Sequence, residues 1–424
     1  MHALHLSCLR HLSLLAWLLP ALALAQSLPL SPPPTQSTGP IQTASSAVPG
    51  TSEALIIGLD ADMSAASAEA GEAIRRGIIL AAQEINQAGG LLGRPLQLLV
   101  RDHHGNPSRG MDNIAAFARL DNLVAVMTGV QSVVALAELS LLHQHRIPLL
   151  VPWAAGTPIV HNSYRPNFVF RVSARDDYVG EFLVAQALGR GYQRPGLLLE
   201  QTAWGTSNEA ALTAALHKRG LQPTGIQWIY RNAQDVTDAL ETLHAAGTDV
   251  LIMATNTLEA MAVVRSMAAL PAARRVPIFA HWGSAAAGSR FPRQMQASLN
   301  SVELFFLQTF SFLDAPFPAR AQKVVDAYCA TFPNCQSARD IFAPPATAQA
   351  YELTHLLALA ITQAGSLDRG AIREQLENLG SYEGLVRNYT PPFTPDNHDA
   401  LDITDFRLAR YDRDGTIIPL PREE

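Results

Sequence analysis

Cysteine is scarce in this chain of 424 residues: there are three, and only Cys329 and Cys335 lie beyond the N-terminal apolar run. A single pair cannot build a disulfide-rich scaffold, and with no histidine beside it the pair makes no zinc site. In an oxidising compartment an even pair predicts one disulfide, Cys329–Cys335. Charge is also sparse. Charged residues make up 16% of the chain, the net charge is −6 and no basic stripe occurs, which argues against nucleic acid as a partner. The Gly-x-Gly-x-x-Gly phosphate signature and the Gly-x-Ser-x-Gly elbow are both missing. His103-His104 has no spaced partner and reads as a solvated loop, and Asp176-Asp177 reads as a helix start. With no nucleophile–base arrangement and no metal spacing, neither an enzyme nor a cofactor or metal is expected.

Long apolar runs are missing too, with one exception. Residues 12–25 (LSLLAWLLPALALA) follow Arg10 and His11 and end Ala23-Leu24-Ala25 before Gln26. The run is short for a bilayer span and has the layout of a cleaved secretory signal peptide over residues 1–25. Residues 26–52 are rich in Pro, Ser, Thr and Gln without apolar periodicity, and read as a disordered tether. The product is expected to be exported, periplasmic, and soluble as a monomer.

From residue 53 the chain alternates. Apolar runs at 55–59 (LIIGL), 96–100 (LQLLV), 123–128 (LVAVMT) and 147–151 (IPLLV) are separated by amphipathic stretches. In the first of these, Ile74, Ile78, Ala81, Ala82 and Ile85 fall on one helical face. After a pause near 167–173 the alternation resumes with GLLLE at 196–200, GIQWIY at 225–230, DVLIMA at 249–254 and VPIFA at 276–280. Continuous apolar strands between helices predict βαβ units and mostly parallel sheets covered on both faces. The fold class is therefore α/β with two lobes, and the helices predicted between 311 and 379 must pack on a sheet already made. Lobe one is assigned 53–173 plus 311–380, and lobe two 174–310 plus 381–424, with a terminal hairpin around Asp412-Arg413-Asp414-Gly415.

Ligands of open α/β sheets bind beyond the carboxyl ends of the strands. The residues found there are Gly129-Val130-Gln131-Ser132, the loop 152–158 (PWAAGTP), Gln201-Thr202-Ala203-Trp204-Gly205, Thr255-Asn256-Thr257 and His281-Trp282-Gly283. They supply hydroxyls, amides and indoles, which suit recognition and not catalysis. Ser132 also reads as a plain helix cap, and Trp153 and Trp204 as packing residues at loop bases.

The stretches 77–102 (GIILAAQEINQAGGLLGRPLQLLVRD), IPLLVPWAAGTP, NFVFRVSARD and the YDRDG hairpin resemble the leucine/isoleucine/valine-binding protein family, the type I periplasmic binding proteins that feed ATP-driven importers. The resemblance runs from about residue 53 to the C-terminus. It implies two lobes joined by three crossings and closing on a small ligand, with a membrane permease of an ABC importer as partner. A sensor delivering its ligand state to a receptor is the alternative use of the same fold. It places carboxylate-binding groups on Ser132 and on the 152–157 loop, with Thr157 or Ala155 as the contact and Trp153 within the loop. It places the aromatic cover on Trp204 and a further contact on Asn256 or Thr257. The family's ammonium-binding acid falls on Trp282. The ligand implied is then a carboxylate with an apolar or aromatic body, with no α-ammonium or with one held by another acid such as Asp176, Asp177 or Glu259.

Overall fold

The computed structural model describes residues 53–285, 290–314 and 319–421; the expected signal peptide and tether lie outside them. The first five strands, β1 (Leu55–Ala61), β2 (Leu96–Asp102), β3 (Leu123–Thr128), β4 (Leu149–Val151) and β5 (Val169–Arg171), form one parallel sheet in the order β2-β1-β3-β4-β5. β3, β4 and β5 are buried along their whole length. Such strands need apolar residues on both faces, which explains their continuous runs. The connecting helices are α1 (Ala68–Gln87), α2 (Pro107–Phe117), α3 (Ser132–Gln144) and the single turn α4 (Thr157–Val160). Ile74, Ile78, Ala81, Ala82 and Ile85 are buried on α1, as their spacing predicts. The start of α2 is set locally: Asn106 caps it by accepting from Ser108 N–H, and Pro107 holds the first helical position.

The second sheet contains β6 (Pro195–Glu200), β7 (Ile226–Ile229), β8 (Val250–Ala254), β9 (Ile278–Ala280) and β10 (Leu304–Gln308), parallel where they pair with one another. Helices α5 (Asp176–Gly189), α6 (Ala203–His217), α7 (Thr237–Ala245), α8 (Thr257–Ala269) and α9 (Arg290–Leu299) connect them. The late helices return to the first lobe. These are α10 (Ala319–Thr331), α11 (Pro344–Ala364) and α12 (Arg369–Leu376); α11 packs along α1, and α12 reaches β3. The α1–α11 approach is so close that a Cβ at Gly77 would lie 2.2 Å from the Thr347 carbonyl oxygen. Cys329, near the end of α10, is joined to Cys335.

After α12 comes a small antiparallel ribbon of β11 (Tyr382–Glu383) and β12 (Asn388–Tyr389). It is tied to the first lobe, where Leu385 N–H donates to Glu352 Oε2 at 2.8 Å and Arg320 Nη2 donates to Tyr382 Oη at 2.8 Å. The chain then runs along the edge of the first sheet, with Arg171 N–H donating to the His398 carbonyl and Ala400 N–H to the Arg171 carbonyl, each at 2.9 Å. Residues 382–401 are therefore attached to the first lobe, the ribbon through α10 and α11 and the segment 398–400 through β5, and the expected lobe boundary at 380 precedes this attachment. Only then does the chain reach the second lobe as β13 (Arg407–Tyr411) and β14 (Ile417–Pro419). These add antiparallel to β10 and complete the order β14-β13-β10-β9-β8-β6-β7. Three crossings join the lobes: after β5, after β10 and after Leu401. Among the described residues no helix is long and apolar enough to cross a membrane.

Candidate functional site

Strand order brings the carboxyl ends of both sheets to face one cavity. From the first lobe it is lined by Val130, Gln131, Ser132, Val133, Trp153 and Ala155; from the second by Glu200, Thr202, Trp204, Arg231, Asn256, Trp282 and Gly283. The space left is about 20 Å³, room for one water molecule. The lobes thus stand closed. A direct bond crosses between them, from Thr157 N–H to Ser207 Oγ at 3.3 Å.

On the first-lobe side, Ser132 opens α3 and its Oγ accepts from Gly156 N–H at 3.2 Å. The serine therefore ties the α3 N-terminus to the 152–157 loop, and the residue in the cap position is Gln131. Gln131 Nε2 donates to Asp62 at 3.3 Å, while its Oε1 is buried without a hydrogen-bond partner. The Trp153 carbonyl accepts from Ser173 Oγ at 2.7 Å, which anchors the loop to the first crossing.

On the second-lobe side, Thr202 caps α6 by accepting from Gly205 N–H, and Trp204 stands in the first turn of that helix. Trp204 Nε1 donates to Asp176 Oδ1 at 3.1 Å. His281 Nδ1 accepts from Trp282 N–H at 2.9 Å, so its Nε2 carries the proton and donates to the same Asp176 oxygen at 3.1 Å. Asp176 N–H in turn donates to the Ala155 carbonyl at 3.0 Å. One buried aspartate at the start of α5 thus fixes two second-lobe crests through its carboxylate and touches the first-lobe loop through its backbone N–H. A Cβ at Gly283 would lie 1.9 Å from the Thr255 carbonyl oxygen, so only glycine lets the crests after β8 and β9 meet this closely.

Of the residues singled out from the sequence, Ser132, Trp153, Ala155, Trp204, Asn256 and Trp282 line the cavity. Thr157 and Thr257 do not. The Thr157 hydroxyl is buried without a hydrogen-bond partner, and the Thr257 hydroxyl donates to the Gly283 carbonyl at 3.1 Å. Asp176 is occupied as described, Asp177 pairs with Arg175, and Glu259 accepts from Asn232 N–H at 2.6 Å. His103 is buried, not solvated: it packs inside the first lobe, where its Nδ1 accepts from Gly105 N–H.

The acid that faces the cavity is Glu200, the last residue of β6, and the cation is Arg231, just after β7. The sequence reading passed over both. The usable signal was their position at or just beyond a strand's carboxyl end, Glu200 closing β6 and Arg231 two residues past β7, the same signal that picked out the loops. Glu200 is 1% exposed. Its Oε2 accepts from Asn256 N–H at 3.0 Å and Asn256 Nδ2 at 2.8 Å, and Oε1 lies 3.9 Å from Arg231 Nε. Burial and then the nearby Glu259 push its carboxyl above the usual carboxylate range, against the pull of Asn256 and Arg231. The cavity therefore presents one carboxyl group and one guanidinium beside a wall of indoles.

Among the described residues, one group could approach a cation: Asp62, Asp102 and His104, whose ligand atoms lie within 4.8 Å of one another. Their carboxylates are already engaged, Asp62 with the Ser64, Ala65 and Ser67 amides and Asp102 with Met63, Ser64 and His104.

Several known proteins share this architecture. A periplasmic binding protein type 1 from Bordetella pertussis superposes with a TM-score of 0.76 at 22% identity, covering 87% of this chain and 100% of that one. The LivJ substrate-binding protein of Streptococcus pneumoniae, solved with isoleucine, gives 0.71 at 18% identity over 87% and 100%. A solute-binding protein from R. palustris, solved with benzoate, gives 0.69 at 20% identity over 87% and 96%. At these identities the likeness shows the fold. In sequence, the Leu/Ile/Val-binding protein homolog 3 of Brucella melitensis is 23% identical over 46% of this chain and 53% of its own length. The amino acid binding protein of Pseudomonas aeruginosa is 23% identical over 50% and 57%. The chain thus spans about half the length of these relatives. The periplasmic binding protein family model matches residues 55–416, and the chain belongs to that family.

Proposed function

We propose that this protein captures a small carboxylate-bearing molecule, an amino acid or a related organic acid, between its lobes in the periplasm and presents the closed form to an ABC-type permease. The observation that carries this reading is a cavity shared by the two lobes, with donors and indoles contributed from each. A ligand bound there touches both lobes only when they close, so its extra contacts favour the closed state. On the first-lobe side, Ser132 and the start of α3 offer a hydroxyl and helix N-terminal amides, and Arg231 faces them as a guanidinium. Together they make an environment suited to a carboxylate. Glu200 supplies an acid for a ligand that also carries an ammonium, from a different strand than the one Trp282 follows.

The names of the relatives support the same class. Among similar proteins are those named for binding leucine, isoleucine and valine, and similar structures hold isoleucine, leucine and benzoate. Mass spectrometry of the molecules released when the purified protein is denatured tests the proposal. A small carboxylic or amino acid at close to one per protein is the expected result. A ligand without a carboxylate, such as a sugar, would overturn it.

A further inference from the structure

Trp153 and Trp282 come from opposite lobes, one after β4 and the other after β9, and they meet inside the cavity. Their ring centroids are 4.6 Å apart and their planes 24° from parallel, an offset stack. Each indole is held at its backbone: the Trp153 carbonyl by Ser173, and the Trp282 N–H by His281. The third tryptophan of the cavity is placed differently. Trp204 spends its N–H on Asp176 and stands at 79° to the His281 ring, so it is a wall fixed by its neighbours. The cross-lobe pair has only itself as a face-to-face partner among the described aromatic contacts. Each indole covers the other where the face of a flat ligand would lie.

We propose that Trp153 and Trp282 are the two jaws of a clamp for a planar, π-bearing body, which enters between them and replaces their mutual stack. The inference rests on the cleft-binding reading above and narrows it to ligands whose apolar part is flat. A ring in carbon contact with both indoles needs about 7 Å between their planes, twice a contact of about 3.5 Å. The cleft therefore closes less far on its ligand than on itself, by roughly one ring thickness at this point. Hinge crossings absorb a displacement of that size with small backbone changes. A saturated ring of the same carbon count is puckered and thicker. It meets each indole through a few hydrogens and offers no quadrupole to match the indole faces.

Two matched pairs of probes separate shape from charge: benzoate against cyclohexanecarboxylate, and phenylalanine against cyclohexylalanine. Within each pair the headgroup and carbon count are the same, and the ring is either flat with a π face or puckered without one. Calorimetry on the ligand-stripped full chain should find the flat member of at least one pair bound about 10-fold more tightly. Trp153→Leu and Trp282→Leu should each reduce that preference to about 2-fold or less. On the wild-type protein, circular dichroism should show an exciton couplet from the stacked indoles that disappears as the flat ligand saturates the site. This second reading decides the matter even if a variant fails to fold. Equal affinity for flat and saturated probes, or a couplet that survives saturation, overturns the clamp and leaves the carboxylate reading standing. Failure of all four probes to bind the wild-type protein overturns the clamp, and the carboxylate reading is then decided separately by the mass of the released ligand.

Discussion

Arg171 Nε donates to Asp399 Oδ1 at 2.5 Å, and both side chains are buried. The pair joins the last strand of the first sheet to a segment more than two hundred residues later, beside the third crossing between the lobes. Arg175 and His161 hold the other carboxylate oxygen at 3.3 and 2.9 Å. Burial opposes the charge on Asp399, but Arg171, His161 and Arg175 hold its carboxyl well below the usual range. Arg171 Nη1 also donates to the Gly156 carbonyl at 3.0 Å. The hinge ion pair thus reaches the loop that lines the cavity.

Asp399→Ala should cost about 3–5 kcal/mol in denaturant unfolding, because it leaves the Arg171 guanidinium buried without its counter-ion. Ligand affinity should fall as well, since the 152–157 loop loses a fixed support. A midpoint within experimental error of wild type would show that water or another acid reaches Arg171.

Glu352 predicts a pH dependence. It is buried on α11 and accepts the Leu385 and Val386 amides, yet burial pushes its pKa from an ordinary 4.5 to about 7. The folded state therefore holds a proton that the unfolded chain releases near pH 4.5. The stability this adds is full below about pH 4.5 and is lost as the pH rises through about 7, roughly 3 kcal/mol in all. Thermal unfolding of wild type and Glu352→Gln, compared from pH 5 to 8, should show a falling difference that the variant lacks. Parallel curves for the two proteins would contradict this.

Glu200→Gln should discriminate between ligands. An amino acid whose ammonium meets this carboxylate should bind roughly 10- to 100-fold more weakly, the size of one charged hydrogen bond. The same skeleton without the ammonium should bind as well or better, because a like charge has been removed. Calorimetry with phenylalanine and 3-phenylpropanoate makes the comparison. Equal losses for both would limit Glu200 to holding Asn256 in place.

Cys329 and Cys335 should resist alkylation in the native protein unless a reductant is present, and the peptide containing both should be lighter by two hydrogens. Replacing both by serine should cost about 2 kcal/mol, since the closed loop is short. Rapid modification of both thiols without reductant would refute the link.

What the sequence alone determined is the local part of this molecule. The alternation of apolar strands and amphipathic helices is written in periods of a few residues, so it is legible wherever it occurs, and it specified an α/β protein with two sheets. The carboxyl end of a strand is also a local feature, which is why most of the cavity-lining loops could be named. The hairpin around Asp412-Arg413-Asp414-Gly415 was readable for the same reason.

Tertiary structure alone decided what those loops do to one another. Thr157 and Thr257 lie beyond strand ends like Ser132, but neither lines the cavity: the Thr257 hydroxyl is bonded to the Gly283 carbonyl and the Thr157 hydroxyl is buried without a partner. Glu200 and Arg231 lie at ends of the same kind, on adjacent strands β6 and β7, and become a facing pair only through that adjacency. Residues 382–401 carry no local mark of their lobe; their place follows from Glu352, Arg320 and Arg171, all distant in the chain. His103 is buried because the first lobe closes over it, which no spacing around two histidines could show. Trp153 and Trp282 meet because two sheets, each specified locally, were brought face to face by three crossings, and contacts between residues so far apart are set by topology and the free energy of closure, not by any pattern along the chain.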